Sequence, residues 1–321
     1  MIYPIKKVVR TLSHNNIFVK RLYLTSNKVK MYLLKNISDE TFAKMKYKEN
    51  TGQTLNLSNP KTYNEKLWWL KLNNRNPLLT VCSDKFEVRK YVEEKGLKHI
   101  LTTIYGVYDN AENIDYNVIP EKAFIKCNHG SGTNIIYDKE KFNKIKFEKK
   151  FNRALKKNYY YQSREWNYKN IKPRIIVEEL LTDKENVSLI DYRFMCFDGE
   201  VKLILVDINT ASPDGSHNPK ALRNIYDNDF NYLDIKIGRQ QFDNKLISKP
   251  KNFSKMIEYA EILSKPFPHC RVDLYNIQGE IYFGEITFYP GGATQRITPE
   301  KWSYEIGGWI NLEDESHNLQ G

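Results

Sequence analysis

The chain has 321 residues, 40% hydrophobic and 28% charged, enough for about two domains with a real interior. Lys and Arg (50) outnumber Asp and Glu (39), for a formal net charge of +11. This composition excludes a disordered chain, and the apolar runs fall short of the roughly 18 residues that a transmembrane helix needs. Cys82, Cys127, Cys196 and Cys270 stand far apart with no C-x-x-C pair. That excludes a disulfide framework and a zinc knuckle, and it points to a reducing compartment.

The first 35 residues hold eight basic side chains, and the first acid is Asp39. Ile5, Val8, Val9 and Leu12, then Phe18, Leu22 and Leu24, recur at helical spacing. A basic amphipathic helix of this kind suits an anionic membrane surface, a polyanionic substrate, or packing on the protein body with a solvated basic face. No apolar stretch of signal-peptide length follows the first residues. The basic and aromatic residues form no nucleic-acid-binding motif, so no nucleic acid is expected as a partner.

Residues 36–78 carry helix and turn signals, with an aromatic-rich stretch at 63–72. Ser83 or Asp84 is expected to cap a helix running through Lys85, Val88, Tyr91 and Val92 to Gly96. Residues 100–107 read as a strand and 109–120 as a loop. Residues 123–126 and 135–137 read as a hairpin around His129-Gly130-Ser131-Gly132-Thr133-Asn134. A charged helix is expected at 141–161 and a strand at 174–181. A hairpin follows, 191–197 and 200–207, turning at Asp198-Gly199. Residues 209–234 read as a long loop, 253–263 as a helix, and 270–287 as a last hairpin leading to Tyr289-Pro290-Gly291-Gly292-Ala293. The class is α+β, with mostly antiparallel pairing in the C-terminal half.

Three clusters could carry chemistry. Strand alternation allows Arg271, Asp273 and Glu285 to share one face of the last hairpin. They form either a solvent-facing set of salt bridges or, with a divalent cation such as Mg²⁺, a metal site. Lys126 beside the Gly130–Asn134 loop could gather ammonium, amide and hydroxyl donors on a phosphate. Glu178-Glu179-Leu180, at a strand end, could serve an adenine and its ribose. Asp191 and Arg193 alternate on one face of an otherwise apolar strand. Asp227-Asn228-Asp229 is a weak match to a sugar-nucleotide metal site. In the loop at 209–234, Arg223 and His217 are candidate acceptor contacts.

The order of these features is similar to that of ATP-grasp enzymes. It runs Ser83-Asp84-Lys85, Phe124-Ile125-Lys126 with its glycine loop, Val177-Glu178-Glu179-Leu180, and Asp191-Tyr192-Arg193-Phe194 with Asp198-Gly199. Arg271-Val272-Asp273-Leu274-Tyr275 and Gly284-Glu285-Ile286-Thr287 complete it. Residues 57–311 resemble the TupA-like (teichuronopeptide biosynthesis) branch, whose members occur among bacterial surface-polysaccharide genes and are often labelled glycosyltransferases.

The resemblance implies an α+β fold in which antiparallel sheets of a central lid and a C-terminal core clamp ATP. It divides the chain into a basic helical extension (1–56), a pre-grasp region (57–105), a lid (106–180) and a core with the metal site (181–321). It places Lys85, Lys126 and the loop Gly130, Ser131, Gly132, Thr133 and Asn134 on the ATP phosphates. Glu178 and Leu180 meet the adenine, and an acid of that stretch, Glu178 or Glu179, meets the ribose. Asp273, Glu285 and Thr287 hold Mg²⁺, with Thr287 standing where the family usually has Asn. Arg271 and Arg193 stabilise the reacting carboxylate and an acyl phosphate. The implied activity joins an amine substrate, such as an amino acid, to a carboxylate-bearing glycan such as one with uronic acids. It would act in the cytoplasm or at the inner membrane face, where residues 1–35 could touch anionic lipid. The alternative is glycosyl transfer from a nucleotide-sugar.

Overall fold

The fold is seen in a computed structural model that describes residues 34–183 and 189–312. The basic amphipathic segment expected at the N-terminus lies outside these residues up to position 33. Helix α1 (Asp39–Thr51) starts at Ser38, whose hydroxyl accepts from the Thr41 amide at 3.2 Å. Helix α2 (Tyr63–Asn73) opens on a capping box in which Thr62 accepts from Glu65 N and the Glu65 carboxylate accepts from Thr62 N. Helix α3 (Pro77–Ser83) follows, then α4 (Val88–Glu94). The helix expected to open at Ser83 or Asp84 therefore opens later. The Asp84 carboxylate accepts from the amides of Phe86 (2.8 Å) and Glu87 (3.3 Å). It closes an elbow between α3 and α4, and Lys85 sits on that elbow.

A four-stranded antiparallel sheet comes next, built from β1 (Ile104–Tyr108), β2 (Lys122–Cys127), β3 (Ile135–Asp138) and β4 (Ile175–Glu178) in the order β1-β4-β2-β3. The first strand begins later than expected because Lys98–Ile100 forms a tight helical turn. The charged helix expected at 141–161 breaks into α5 (Lys144–Leu155) and a single turn, α6 (Tyr160–Ser163). Phe147 and Phe151 of α5 pack on Ala123, Ile125, Tyr137, Ile175 and Val177 in a small core. Alternation turns Lys126 and Glu178 to the opposite face.

The second sheet has six antiparallel strands in the order β11-β10-β5-β6-β7-β8. Its members are β5 (Asp191–Phe197), β6 (Glu200–Ile208), β7 (Leu222–Tyr226), β8 (Tyr232–Leu233), β10 (His269–Ile277) and β11 (Glu280–Thr287). A short pair, β9 (Lys236–Ile237) with β12 (Ile297–Thr298), helix α7 (Phe253–Ser264) and helix α8 (Lys301–Gly308) complete the fold. The β5–β6 hairpin turns at Asp198 (φ 48°) and Gly199 (φ 81°), the left-handed pair that a two-residue turn requires. Strands β7 and β8 correct the loop expected at 209–234. The polar residues of β7 are satisfied across the sheet: Arg223 pairs with Asp207, and Asn224 Nδ2 donates to Phe242 O.

One hydrophobic core joins Phe42, Leu67, Trp68 and Val92 to Phe194, Ile204, Met256 and Val272. Helix α1, the helices before the first sheet and the C-terminal sheet thus share an interior, while the first sheet has its own. The two units also meet at β3, where Ile136 N donates to Asp214 O at 2.9 Å. Gly215 (φ 81°) lies so close that a Cβ there would stand 2.6 Å from Ile136 N. This contact covers the free edge of β3. Among the described residues no helix is long and apolar enough to cross a membrane.

Candidate active site

The β10–β11 hairpin places Asp273 directly opposite Glu285 and Arg271 opposite Thr287. Leu274 faces Phe283, so Gly284 is the extra residue of a bulge. A Cβ at Gly284 would lie 2.9 Å from Asp273 O, so a side chain there would push the strands apart. Arg271 donates to both Asp273 oxygens (Nε 2.6 Å, Nη2 2.7 Å) and from Nη2 to the Thr287 hydroxyl at 3.2 Å. Thr287 in turn donates to Glu285 Oε1 at 3.3 Å. Burial pushes the Asp273 carboxyl up despite Arg271 and Arg193. Burial acts the same way on Glu285, but Lys85 and Arg271 outweigh it and hold that carboxyl well below its usual range.

Lys85 links the two sheets. Its amine donates to Glu285 Oε2 at 3.0 Å, and its amide donates to Asn128 O, just past β2. The Asn128 side chain donates to Asp84 Oδ2 at 2.9 Å, which fixes the elbow to the end of that strand. Lys126, two residues earlier, forms a 2.5 Å ion pair with Glu178. The loop from Gly130 to Asn134 exposes Ser131 and Gly132, while Thr133 and Asn134 are half-buried. The Tyr159 ring lies 3.6 Å from where a Gly130 Cβ would stand. Glu179 pairs with the first sheet by accepting from Thr103 N at 3.2 Å, and Leu180 is half-buried after the end of β4.

The polar face continues across the C-terminal sheet. Arg193, opposite Asp273, reaches Asp273 (3.1 Å), Asp207 (2.9 Å) and Asp191 (3.0 Å) with its three nitrogens. Asp207 is fully buried and also takes Arg223 (2.5 Å) and Arg239 (2.8 Å). Burial works against its charge, yet the three guanidiniums hold its carboxyl at about 2.

Sequence reasoning missed Asp207 and Arg239, although an Asp inside the apolar run of β6 was itself a signal. It also missed Lys71 and Glu165, both buried. Lys71 donates to Gly292 O at 2.9 Å over the Trp68 ring. Burial lowers Lys71 and raises Glu165, and the charge of each opposes the shift of the other. Asp227-Asn228-Asp229 forms the turn into β8: Asp227 accepts from the amides of Asp229 and Asn231, and Asn228 donates to Val201 O.

Two carboxylates facing each other across one hairpin suit Mg²⁺, which takes one or two carboxylates and completes its shell with water and phosphate oxygens. Among the described residues no group of three or more His, Cys, Asp and Glu side chains gathers into a metal cage.

Residues 65–311 match the family described as TupA-like ATPgrasp, which is more than half of the chain. The chain belongs to this family. Its α+β architecture is accordingly that of the ATP-grasp fold. No curated protein is similar enough to the chain to count as a match. Among solved structures, the TupA-like chain is similar to D-alanine–D-alanine ligase from Bacillus anthracis, with 15% identity and a TM-score of 0.42 over 75% of this chain and 69% of that one. It is also similar to phosphoribosylamine–glycine ligase from Thermotoga maritima (11%, TM-score 0.41, 67% and 49%). L-amino acid ligase from Bacillus licheniformis is a third (11%, TM-score 0.39, 66% and 44%).

Proposed function

We propose that this TupA-like ATP-grasp protein is an ATP- and Mg²⁺-dependent carboxylate–amine ligase that works through an acyl phosphate. The observation that carries the reading is Lys85, tied by its amine to Glu285 and by its amide to Asn128, with Arg271, Asp273 and Thr287 on the same sheet face. That arrangement sets the Lys85 ammonium, anchored to the end of the first sheet, beside the Arg271 guanidinium of the second on Glu285, which suits the phosphates of a nucleotide.

A carboxylate oxygen leaves poorly, so the acceptor carboxylate attacks the γ-phosphorus and ADP departs. The amine then attacks the acyl carbon, inorganic phosphate leaves, and the amine proton passes to solvent or a base. Lys85 and Lys126 would bind the phosphates, with the Gly130–Asn134 loop closing over them. Arg271 and Arg193 would hold the carboxylate and the developing charge. Mg²⁺ at Asp273 and Glu285 would screen the transferring phosphoryl group. Glu178 or Glu179 would meet the ribose, and Leu180 the adenine. Docking of the first sheet against the second would keep water from the acyl phosphate.

The acceptor in this reading is a carboxylate-bearing surface glycan, to which an amino acid or amino compound is attached in the cytoplasm. A net charge of +11 favours an anionic glycan. The Asp227-Asn228-Asp229 turn lends no support to a nucleotide-sugar site, since the Asp227 carboxylate is taken up by its own turn. Lys126→Ala tests the reading. Loss of one charge-assisted contact should weaken ATP binding about tenfold or more in a calorimetric titration. Unchanged affinity would remove Lys126 from the nucleotide site.

A further inference from the structure

Three guanidiniums converge on the single carboxylate of Asp207, and they are not equivalent. Arg223 is almost wholly buried; its Nε and Nη2 bind Asp207 and its Nη1 binds Ile237 O. All three nitrogens of Arg193 lie within 3.1 Å of a carboxylate. Arg239 differs. Only its Nη1 is engaged, at 2.8 Å from Asp207 Oδ2, so Nε and Nη2 have no partner among the described residues. Its side chain is also the most exposed of the three, at 19% against 13% for Arg193 and 3% for Arg223.

Among the described residues, cations outnumber carboxylates on this sheet face. Across the whole polar face Arg193, Arg223, Arg239, Arg271 and Lys85 meet four carboxylates, Asp191, Asp207, Asp273 and Glu285, and Asp191 also accepts from the Thr210 hydroxyl at 2.6 Å. His217, on the exposed loop after β6, is held towards its neutral form by burial and by the charges of Arg239 and Arg193. A guanidinium with two free donors in a fork, beside an excess of positive charge, is built to take an oxyanion side-on.

We infer that Arg239 forms a second anion subsite, which takes a carboxylate or phosphate oxyanion of the acceptor other than the carboxylate that reacts. Asp207 lies on β6 and Asp273 on β10, with β5 between them. Their backbones are two strand spacings, about 10 Å, apart, and the Arg193 guanidinium spans the gap between the two carboxylates. The free Nε–Nη2 edge of Arg239 is not the edge that holds Asp207, so the acceptor class is a molecule with at least two acidic groups, one for this edge and one that reacts, as in an acidic oligosaccharide. The inference rests on the ligase reading for the position of the reacting carboxylate. Arg223, the acceptor contact expected from the sequence, is almost wholly buried with each of its three nitrogens already bonded, so Arg239 is the better placed of the two.

The test is binding of trigalacturonate, galacturonate, neutral maltotriose and inorganic phosphate to the full chain saturated with a non-hydrolysable MgATP analogue. Native protein should bind trigalacturonate well above galacturonate and leave maltotriose unbound. Arg239→Gln should weaken the trimer about tenfold or more while the analogue's own thermal shift stays unchanged. Arg239→Lys, which keeps one charge and loses the fork, should fall between the two. Equal trimer binding by native protein and Arg239→Gln, or none by native protein, overturns the subsite. Phosphate binding that depends on Arg239, with no gain from the trimer, overturns the remote acceptor group in favour of a free oxyanion. Failure of the native protein to bind the MgATP analogue would instead sink the ligase reading itself.

Discussion

Glu285→Gln is expected to slow ADP formation about 10³-fold and to remove the Mg²⁺-dependent part of the stabilisation by ATP, with the protein still folded. The size follows from the several kcal/mol that metal-assisted charge stabilisation contributes at a transferring phosphoryl group. Folding should survive because Glu285 is about a third exposed, Gln keeps an amide oxygen to accept from Lys85, and Arg271 stays paired with Asp273. Asp273 is a poorer choice for this experiment. It is buried between Arg271 and Arg193, so its removal also takes a buried partner from two guanidiniums. ADP release with and without Mg²⁺ is the measurement, and turnover within tenfold of native would remove Glu285 from the metal site.

Asp207→Asn has the largest expected effect on stability. It leaves Arg193, Arg223 and Arg239 without the carboxylate they share, and breaking a buried ion pair from one side costs about 3–5 kcal/mol. For a domain of this size that lowers Tm by upwards of about 6 °C in a thermal melt. A shift below 2 °C would mean that solvation and the neighbouring carboxylates, and not Asp207, hold the cluster together. The same carboxyl makes stability acid-sensitive. Its folded value of about 2 lies below the unfolded value near 4, so its contribution is complete above pH 4 and lost as pH falls through 2, amounting to about 2 kcal/mol.

The last hairpin was legible in the sequence because it obeys a period of two around a short turn. Arg271, Asp273, Glu285 and Thr287 therefore fall on one face once the strands pair. The bulge at Gly284 was not legible, because it shows only in the register. Asp84 has a side chain that suits a helix cap and an elbow equally well, and the hydrogen bonds to Phe86, Glu87 and Asn128 select the elbow. Strand β7 was hidden because Arg223 and Asn224 look like loop residues until Asp207 and Phe242 arrive from elsewhere in the chain. Lys71 meets Gly292 from 221 residues away, a separation no local pattern encodes. Arg239 gains its meaning only from the crowding on Asp207.

The central claim is that the two sheets clamp ATP. The most direct test is thermal stability with ATP, ADP and UDP-, GDP- and CMP-sugars, each with and without Mg²⁺. A ligand of the folded state must raise its stability. The account predicts a Mg²⁺-dependent rise in Tm with ATP and ADP and no change with any nucleotide-sugar. A rise confined to one nucleotide-sugar, with ATP silent, would contradict it.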